Sequence, residues 1–324
     1  MSGWEIFIVV ILVIIIIALL LILAIGHFAV NYALVPGQGA EKREIDNADE
    51  EPQVHQDHYA AERELSRHLT EEWLTTVESD AVSIKTEDGL TLNGHVFRQE
   101  GSDKWVIVVH GYQAYEELTF AHARVFHAAG YNVLTYNLRA HGNSEGKYIG
   151  FGYLDQDDLL FWTEAIISKH ADASIVFHGT SMGGATVLLA SAREELPENV
   201  KVIIDDCGFS SIRDIFTLEL DKRFGIGPRP VLDIANFFAK GKAGYYLSDG
   251  EIPKYLGTSR TPTLVVHGTA DDFVPVSMSE ENFAAIPHAE KKLVYIEGAG
   301  HAEAHIVDYE KYYAEVFAFI DKYS

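Results

Sequence analysis

The sequence predicts an α/β fold with a mostly parallel central sheet, preceded by one membrane-spanning helix. Beyond residue 78, short apolar runs of strand length alternate with helical segments almost to the end of the 324-residue chain. An apolar run without any charged residue occupies positions 6–25. Buried strands that alternate with helices are typical of a parallel sheet covered by helices on both faces.

The run at 6–25 is long enough to cross a membrane, since twenty helical residues span roughly 30 Å. Trp4 lies at its edge, where interfacial aromatic residues are common. A cleaved signal peptide is an alternative, but its apolar region is usually shorter and follows basic residues, which are absent here. A buried helix is a further alternative. We expect 1–35 to form a retained single-pass anchor.

The flanking charges do not determine on which side of the membrane the main domain lies. Lys42 and Arg43 follow the span and favour a cytoplasmic domain under the positive-inside rule. They are flanked by Glu41 and Glu44 and lie far from the span, which weakens that signal. The polar, acidic segment 36–57 is predicted to be a tether, followed by the main domain at 58–324.

Composition excludes some classes of partner. The chain is 48% hydrophobic, which argues against disorder, and its net charge is −23. Such an acidic protein repels phosphate backbones, so we expect no nucleic-acid partner and no docking on anionic lipid through a basic patch. Cys207 is the single cysteine, so no disulfide forms within the chain.

The alternating segments place candidate functional residues at the carboxyl ends of strands, where open α/β sheets hold their sites. Two strands are predicted within 81–97, around the turn signal Asp88-Gly89. Further strands are predicted at 105–111, 131–138, 174–181, 200–206, 261–269 and 291–299. Helices are predicted at 59–77, 116–129, 155–170, 183–194, 277–285 and 306–323.

The sharpest motif is Gly179-Thr180-Ser181-Met182-Gly183, between a strand and a helix. In that context the serine occupies a strained turn that exposes its hydroxyl above the sheet, and the glycines avoid collisions with neighbouring backbone. We therefore expect Ser181 to be a nucleophile.

The segment His110-Gly111-Tyr112 follows the strand at 105–111. A backbone N–H of this loop can pair with the N–H after the nucleophile to form an oxyanion hole. The expected donors are Tyr112 and Met182. His110 is expected to shape the loop.

A carboxylate is expected after the strand at 261–269, because a catalytic histidine needs an acid to orient it. Asp271, three residues beyond His267-Gly268, is the favoured acid. Asp272 competes with it, and Asp205 and Asp206 at the end of another strand are further candidates.

The base is expected in Gly298-Ala299-Gly300-His301, where a glycine-rich loop lets an imidazole reach the serine. His301 is favoured over His305, which lies near the last helix. The other histidines are expected to pack or to donate hydrogen bonds, among them His141, His178 and His267.

The order Ser181, Asp271, His301 makes the chain from about 80 to 322 resemble the α/β-hydrolase superfamily. It looks most like the bacterial serine esterases and acyl hydrolases with an HGY-type oxyanion loop. Residues 137–144 (NLRAHGNS) are similar to the family's D-x-R-G-H-G-x-S loop, with Asn137 and Ala140 at two departures. The resemblance implies a helical cap at about 208–260, whose aromatic side chains would line an apolar pocket or hold the cap on the core.

The resemblance implies acyl transfer through a covalent serine intermediate, with no cofactor and no metal. No H-E-x-x-H or G-x-G-x-x-G motif is present. Hydrolysis of carboxylic esters is the favoured reaction, and a peptidase or aminoacyl hydrolase of the same fold is the alternative. A membrane-tethered ligand sensor is a second alternative. Since no catalytic motif precedes residue 105, we expect a chain that begins near Gly39 to be soluble and active.

Overall fold

The computed structural model describes residues 2–37 and 59–324. An eight-stranded sheet forms the centre of the domain, in the order β1-β2-β4-β3-β5-β6-β7-β8. The strands are β1 (Ser79–Lys85), β2 (Thr91–Phe97), β3 (Lys104–Val109), β4 (Asn132–Tyr136), β5 (Ser174–Thr180), β6 (Val200–Asp206), β7 (Thr263–Gly268) and β8 (Lys291–Ile296).

Helices surround the sheet. They are α1 (Gly3–Leu34), α2 (Ala60–Thr76), α3 (Phe120–Ala128), α4 (Asp155–Ile167), α5 (Met182–Ser191), α6 (Ile212–Phe224), α7 (Val231–Ala243), α8 (Pro253–Leu256), α9 (Val276–Ala285), α10 (Ala304–Val307) and α11 (Tyr309–Tyr323). Short 3₁₀ turns at Glu116–Thr119 and Leu247–Gly250 complete the described elements.

The strand pairing confirms the predicted mostly parallel sheet. Strands β3 to β8 pair in parallel, whereas β1 pairs antiparallel with β2, and β2 antiparallel with β4. The central strand β3 is buried over all but its first residue, and β7 over its whole length, as apolar strands covered on both faces must be. Their carboxyl ends meet at one edge, together with those of β5 and β6.

Between β6 and β7 the chain forms α6, α7 and α8, which occupy the range 208–260 that was predicted to be a cap and are called the cap below. Helix α6 begins at a serine cap, because the Ser211 hydroxyl accepts a hydrogen bond from the Asp214 N–H, and it ends at the left-handed Gly225. Helix α7 packs against α1. The cap therefore contacts the N-terminal helix directly.

Helix α1 is the one helix within the described ranges that is long and apolar enough to cross a membrane. It extends beyond the apolar run that predicted it and continues to Leu34. Residues 3–24 are exposed, whereas Val30 and Leu34 are 1% and 0% exposed and belong to the core of the main domain. The predicted boundary near residue 35 thus divides segments that pack together. The predicted tether, 36–57, lies almost wholly outside the described residues.

Candidate active site

Ser181 lies on a strained turn between β5 and α5. Its backbone has φ +58° and ψ −116°, a conformation that side-chain-bearing residues seldom adopt. Both flanking glycines are required by close packing. A Cβ on Gly179 would lie 2.1 Å from the Gly183 carbonyl oxygen, and one on Gly183 would lie 2.2 Å from the Val109 carbonyl oxygen. The strained turn and the two close-packed glycines therefore place the serine hydroxyl above the sheet, as the motif predicts.

The three residues proposed from the sequence as a triad lie in one hydrogen-bonded chain. His301 Nε2 is 2.8 Å from Ser181 Oγ, and His301 Nδ1 is 2.8 Å from Asp271 Oδ2. The serine and aspartate are buried, whereas the imidazole is partly exposed. An Nδ1–H directed at the carboxylate leaves Nε2 with its lone pair toward the hydroxyl, as a general base requires.

Asp271 is held by four donors. Its Oδ1 accepts the backbone N–H groups of Phe273 (3.0 Å) and Val274 (2.8 Å), and its Oδ2 lies 3.2 Å from His267 Nε2 and 2.8 Å from His301 Nδ1. Burial alone would raise the pKa of this carboxyl, but the hydrogen bonds from both imidazoles outweigh it and hold the pKa well below its ordinary value. The side chain is therefore a fixed anion.

The competing acids occupy different environments. Asp272 is exposed and faces Lys222 at 3.4 Å. Asp205 accepts the Gly208 N–H, and Asp206 accepts the Tyr312 hydroxyl. Burial raises the pKa of Asp205 to about 7 and that of Asp206 to about 6. Among the four candidates, Asp271 is the one that contacts His301 in the structure.

His267 was expected to pack or to donate hydrogen bonds, and its Nε2 contacts the same carboxylate as His301. Its Nε2 also lies 2.9 Å from the Val274 carbonyl oxygen. Burial lowers its pKa, yet the hydrogen bond to Asp271 and that residue's charge outweigh burial, so the pKa of His267 is raised. The sequence signal was the His-Gly pair at the end of β7, which repeats the His110-Gly111 pair at the end of β3.

His110 and His141 hold the loop after β3 against the loop after β4. His110 Nε2 accepts the Leu138 N–H at 3.0 Å, and His141 Nε2 accepts the Gln113 N–H at 3.1 Å. Burial lowers the pKa of His110 to about 3 and that of His141 to about 4, so both imidazoles are neutral acceptors. They fix the loop that carries the proposed oxyanion donor.

The proposed oxyanion hole adjoins Ser181. A Cβ on Gly111 would lie 3.3 Å from Ser181 Cβ, so the chain passes directly over the serine just before Tyr112. Met182 is the first residue of α5, and the first N–H groups of a helix have no acceptor within it. The helix start also favours negative charge on the adjoining oxygen.

Helix α1 supplies a wall of the site, which the sequence analysis missed. A cavity of about 260 Å³ opens at Ser181 and is bounded by α1, the cap and Tyr112. From α1 come Ile25, Phe28, Ala29, Val30, Tyr32, Ala33 and Leu34, and from the cap mainly apolar residues of α6 and α7. The signal in the sequence was the change of pattern after Gly26, where His27 and Asn31 share one side of the helix and Val30 and Leu34 another.

One further cluster has atoms that a metal ion could bind. In the described part of the chain, ligand atoms of His122, Asp206 and His305 lie within 4.8 Å of one another. His122 is already bonded to the Tyr313 hydroxyl and Asp206 to that of Tyr312. Burial lowers the pKa of His122 well below its ordinary value and that of His305 to about 4, so both are neutral.

Comparison with known proteins agrees with this architecture. Residues 100–206 match the family model described as serine aminopeptidase, S33. An uncharacterised Bacillus subtilis protein, YqkD, is 27% identical over 246 residues, 76% of this chain and 80% of that protein. An uncharacterised membrane protein of Saccharomyces cerevisiae is 27% identical over 182 residues, 55% of this chain and 57% of its own length.

Among solved structures, an esterase of Pyrococcus furiosus superposes with a TM-score of 0.63 at 22% identity, over 76% of this chain and 92% of the esterase. At that identity the likeness bears on the fold alone. The parallel sheet, the cap between β6 and β7 and the serine turn after β5 all match the expected architecture. The chain therefore has the α/β-hydrolase fold.

Proposed function

We propose that this protein hydrolyses carboxylic esters or related acyl compounds through an acyl-enzyme formed on Ser181. The observation that carries the proposal is the chain of two 2.8 Å contacts, from Ser181 Oγ to His301 and from His301 to Asp271. This arrangement has the geometry of a nucleophile, a base and an orienting acid.

In the proposed first step, Ser181 Oγ attacks the acyl carbon while His301 Nε2 takes the hydroxyl proton. The carbonyl oxygen becomes an anion, which the N–H groups of Tyr112 and Met182 bind. The bond to the leaving alcohol then breaks as His301 returns the proton to it. Water attacks the acyl-enzyme by the same route and releases the acid and the free serine.

The electrostatics of Asp271 support this mechanism. Its depressed pKa keeps the carboxylate ionised through the physiological range, so it can stabilise the imidazolium that forms at His301. Since its Oδ1 is held by two backbone N–H groups, the carboxylate cannot rotate away from the imidazole without losing them.

The cavity favours esters over peptides with a free amino terminus, which the matched family's description suggests as the alternative. The charged residues that line it are Glu219 and Arg223, and these pair with each other at 2.7 Å. An aminopeptidase needs a carboxylate available to the substrate's ammonium group, and the carboxylate in this cavity is already paired. The remaining walls are mostly apolar and suit an acyl chain.

We also propose that α1 is a retained membrane anchor. The large apolar side chains of its residues 6–23 are exposed, as expected of a segment surrounded by lipid. Residues 25–34 belong to the domain and line the cavity, so a cleaved signal peptide would remove part of the site. The protein would thus act at a membrane surface.

A substrate panel tests the reaction class. The full chain in detergent should hydrolyse p-nitrophenyl esters with a kcat/KM at least tenfold above that for the p-nitroanilides of free amino acids. Ser181→Ala should lower kcat by several orders of magnitude without loss of folding. Preference for the anilides would favour the peptidase. Absence of turnover on both, with ligand binding retained, would favour the sensor.

A further inference from the structure

We propose that the substrate is a long-chain acyl ester taken directly from the bilayer that holds α1, with its acyl chain lying along the last turns of that helix. The inference rests on the proposed hydrolase function and anchor, and it names the class of substrate. The structural basis is the transition within α1 from an exposed segment to one that contacts the domain.

The environment of α1 changes sharply near Gly26. The apolar side chains up to residue 24 are exposed and Ile25 is half-buried, whereas Gly26 is buried against the cap. A Cβ at this position would lie 2.3 Å from the ring of Phe238 in α7, so that ring packs directly against the backbone of α1. The exposed span and the cavity wall are thus consecutive parts of one helix.

The end of α1 is tied to the catalytic loops. The Tyr112 hydroxyl donates to the Ala33 carbonyl oxygen at 2.7 Å, and the Ile149 N–H donates to the Leu34 carbonyl oxygen at 2.8 Å. These bonds satisfy carbonyls that a helix terminus leaves without intrahelical partners. They also fix the position of the span relative to Ser181.

The cavity follows this part of α1 from the serine toward the exposed span. Ser181 is one of its lining residues, and Ile25 and Phe28 are the lining residues of α1 nearest the span. The ten residues 25–34 of α1 cover about 15 Å. An acyl chain that enters beside Phe28 would therefore pass along protein until its ester carbon meets Ser181.

The outer end of the cavity is surrounded by exposed apolar side chains. Phe28 is 63% exposed although it lines the cavity, and Phe224 and Ile226 in and after α6 are also exposed lining residues. The Phe224 ring meets that of Tyr32 edge-on, with centroids 6.2 Å apart. Phe237, on α7, adds another exposed ring beside Phe238. Water would solvate this rim poorly, whereas lipid would cover it.

The charge of the cap also fits a membrane surface. Residues 212–243 carry six basic and four acidic side chains, in a chain whose net charge is −23. This face is therefore repelled less by anionic head groups than the rest of the protein. Lys242 stands at the junction, with Nζ 2.7 Å from His27 Nδ1 and 3.2 Å from Asn31 Oδ1.

The test compares palmitoyl and butyryl p-nitrophenyl esters on the full chain reconstituted in phosphatidylcholine vesicles. We expect kcat/KM to favour palmitoyl by at least tenfold when ester and enzyme share vesicles. Ala29→Phe, which fills the wall of the cavity, should lower the palmitoyl-to-butyryl ratio about tenfold. Ala18→Phe, the same change in the exposed span, should leave the ratio unchanged.

Reaction of Ser181 with a fluorophosphonate reports whether each variant is folded. If Ala29→Phe fails to fold, Ile226→Trp narrows the exposed mouth and should lower the ratio in the same direction. A butyryl preference in the native chain, or equal ratios in the cavity variants and Ala18→Phe, would overturn the inference while leaving the hydrolase function intact. Failure to cleave either ester, with Ser181 unlabelled, would overturn both.

Discussion

The Tyr112 hydroxyl donates a hydrogen bond to the backbone carbonyl of Ala33, at 2.7 Å. Tyr112 belongs to the loop that carries the proposed oxyanion donor, and Ala33 lies in the last turn of α1. The same hydroxyl accepts the Gln113 side-chain amide at 2.9 Å. One bond therefore joins the N-terminal helix to the loop beside the nucleophile.

Removal of that bond should loosen the loop. Tyr112→Phe deletes the hydroxyl and leaves the Ala33 carbonyl without this donor, at a cost of about 1 kcal/mol in the free energy of unfolding. We expect kcat on butyryl ester to fall several-fold with little change in KM. Tyr115→Phe, in an exposed part of the same loop, is the matched control. Equal kcat values for the two variants would show that the bond does not position the loop.

Truncation separates the two parts of α1. A chain that begins at Ile25 keeps the cavity wall and loses the exposed span, whereas one that begins at Gly39 loses both. On the soluble butyryl ester we expect the first to retain most activity and the second to lose at least tenfold. The sequence alone led to the opposite expectation for the chain beginning near Gly39. Equal activity of both truncated chains would restore that expectation.

The acid is tested by single amide substitutions. Asp271→Asn removes the charge that His301 faces and should lower kcat by about 10³- to 10⁴-fold. Asp272→Asn, at an exposed side chain near Lys222, should change kcat by less than threefold. The reverse pattern, with Asp272→Asn the crippling change, would move the acid by one residue.

Stability should depend on pH through Asp205. Its pKa is about 7 in the folded protein, above the ordinary value of 3.8, because burial disfavours the anion. The folded state therefore holds its proton more tightly than the unfolded state. Its contribution to stability is complete below about pH 4 and is lost as pH rises through 7. Asp205→Asn does not titrate, so its Tm relative to that of the native chain should rise from pH 4 to 8.

For the titration of one proton, the free energy of unfolding can change by at most about 1.4 kcal/mol per pH unit. Asp172→Asn, at an exposed position, serves as the control and should show no such trend. A Tm difference for Asp205→Asn that stays constant over this range would show that Asp205 is ionised in the folded protein at all these pH values.

Much of the fold was predictable because buried parallel strands are nearly continuous apolar runs, as in Val200–Asp206, where predicted and observed bounds coincide. The contact of Ser181, Asp271 and His301 was predictable because each of these residues follows a strand in a fixed chain order. The packing of residues 25–34 against the domain was not predictable. An apolar run identifies a helix that can lie in lipid, but it does not identify the protein surface that the helix contacts. Only the polar side of His27 and Asn31 distinguished this part from the span.

Fluorophosphonate labelling of the full chain in membranes, with the labelled peptide identified by mass spectrometry, tests directly whether Ser181 is the nucleophile. We expect a single adduct on Ser181, lost in Ser181→Ala and formed at least a hundredfold more slowly in His301→Ala, because His301 Nε2 lies 2.8 Å from the serine hydroxyl. An unlabelled native chain, or an adduct on another residue, would contradict it.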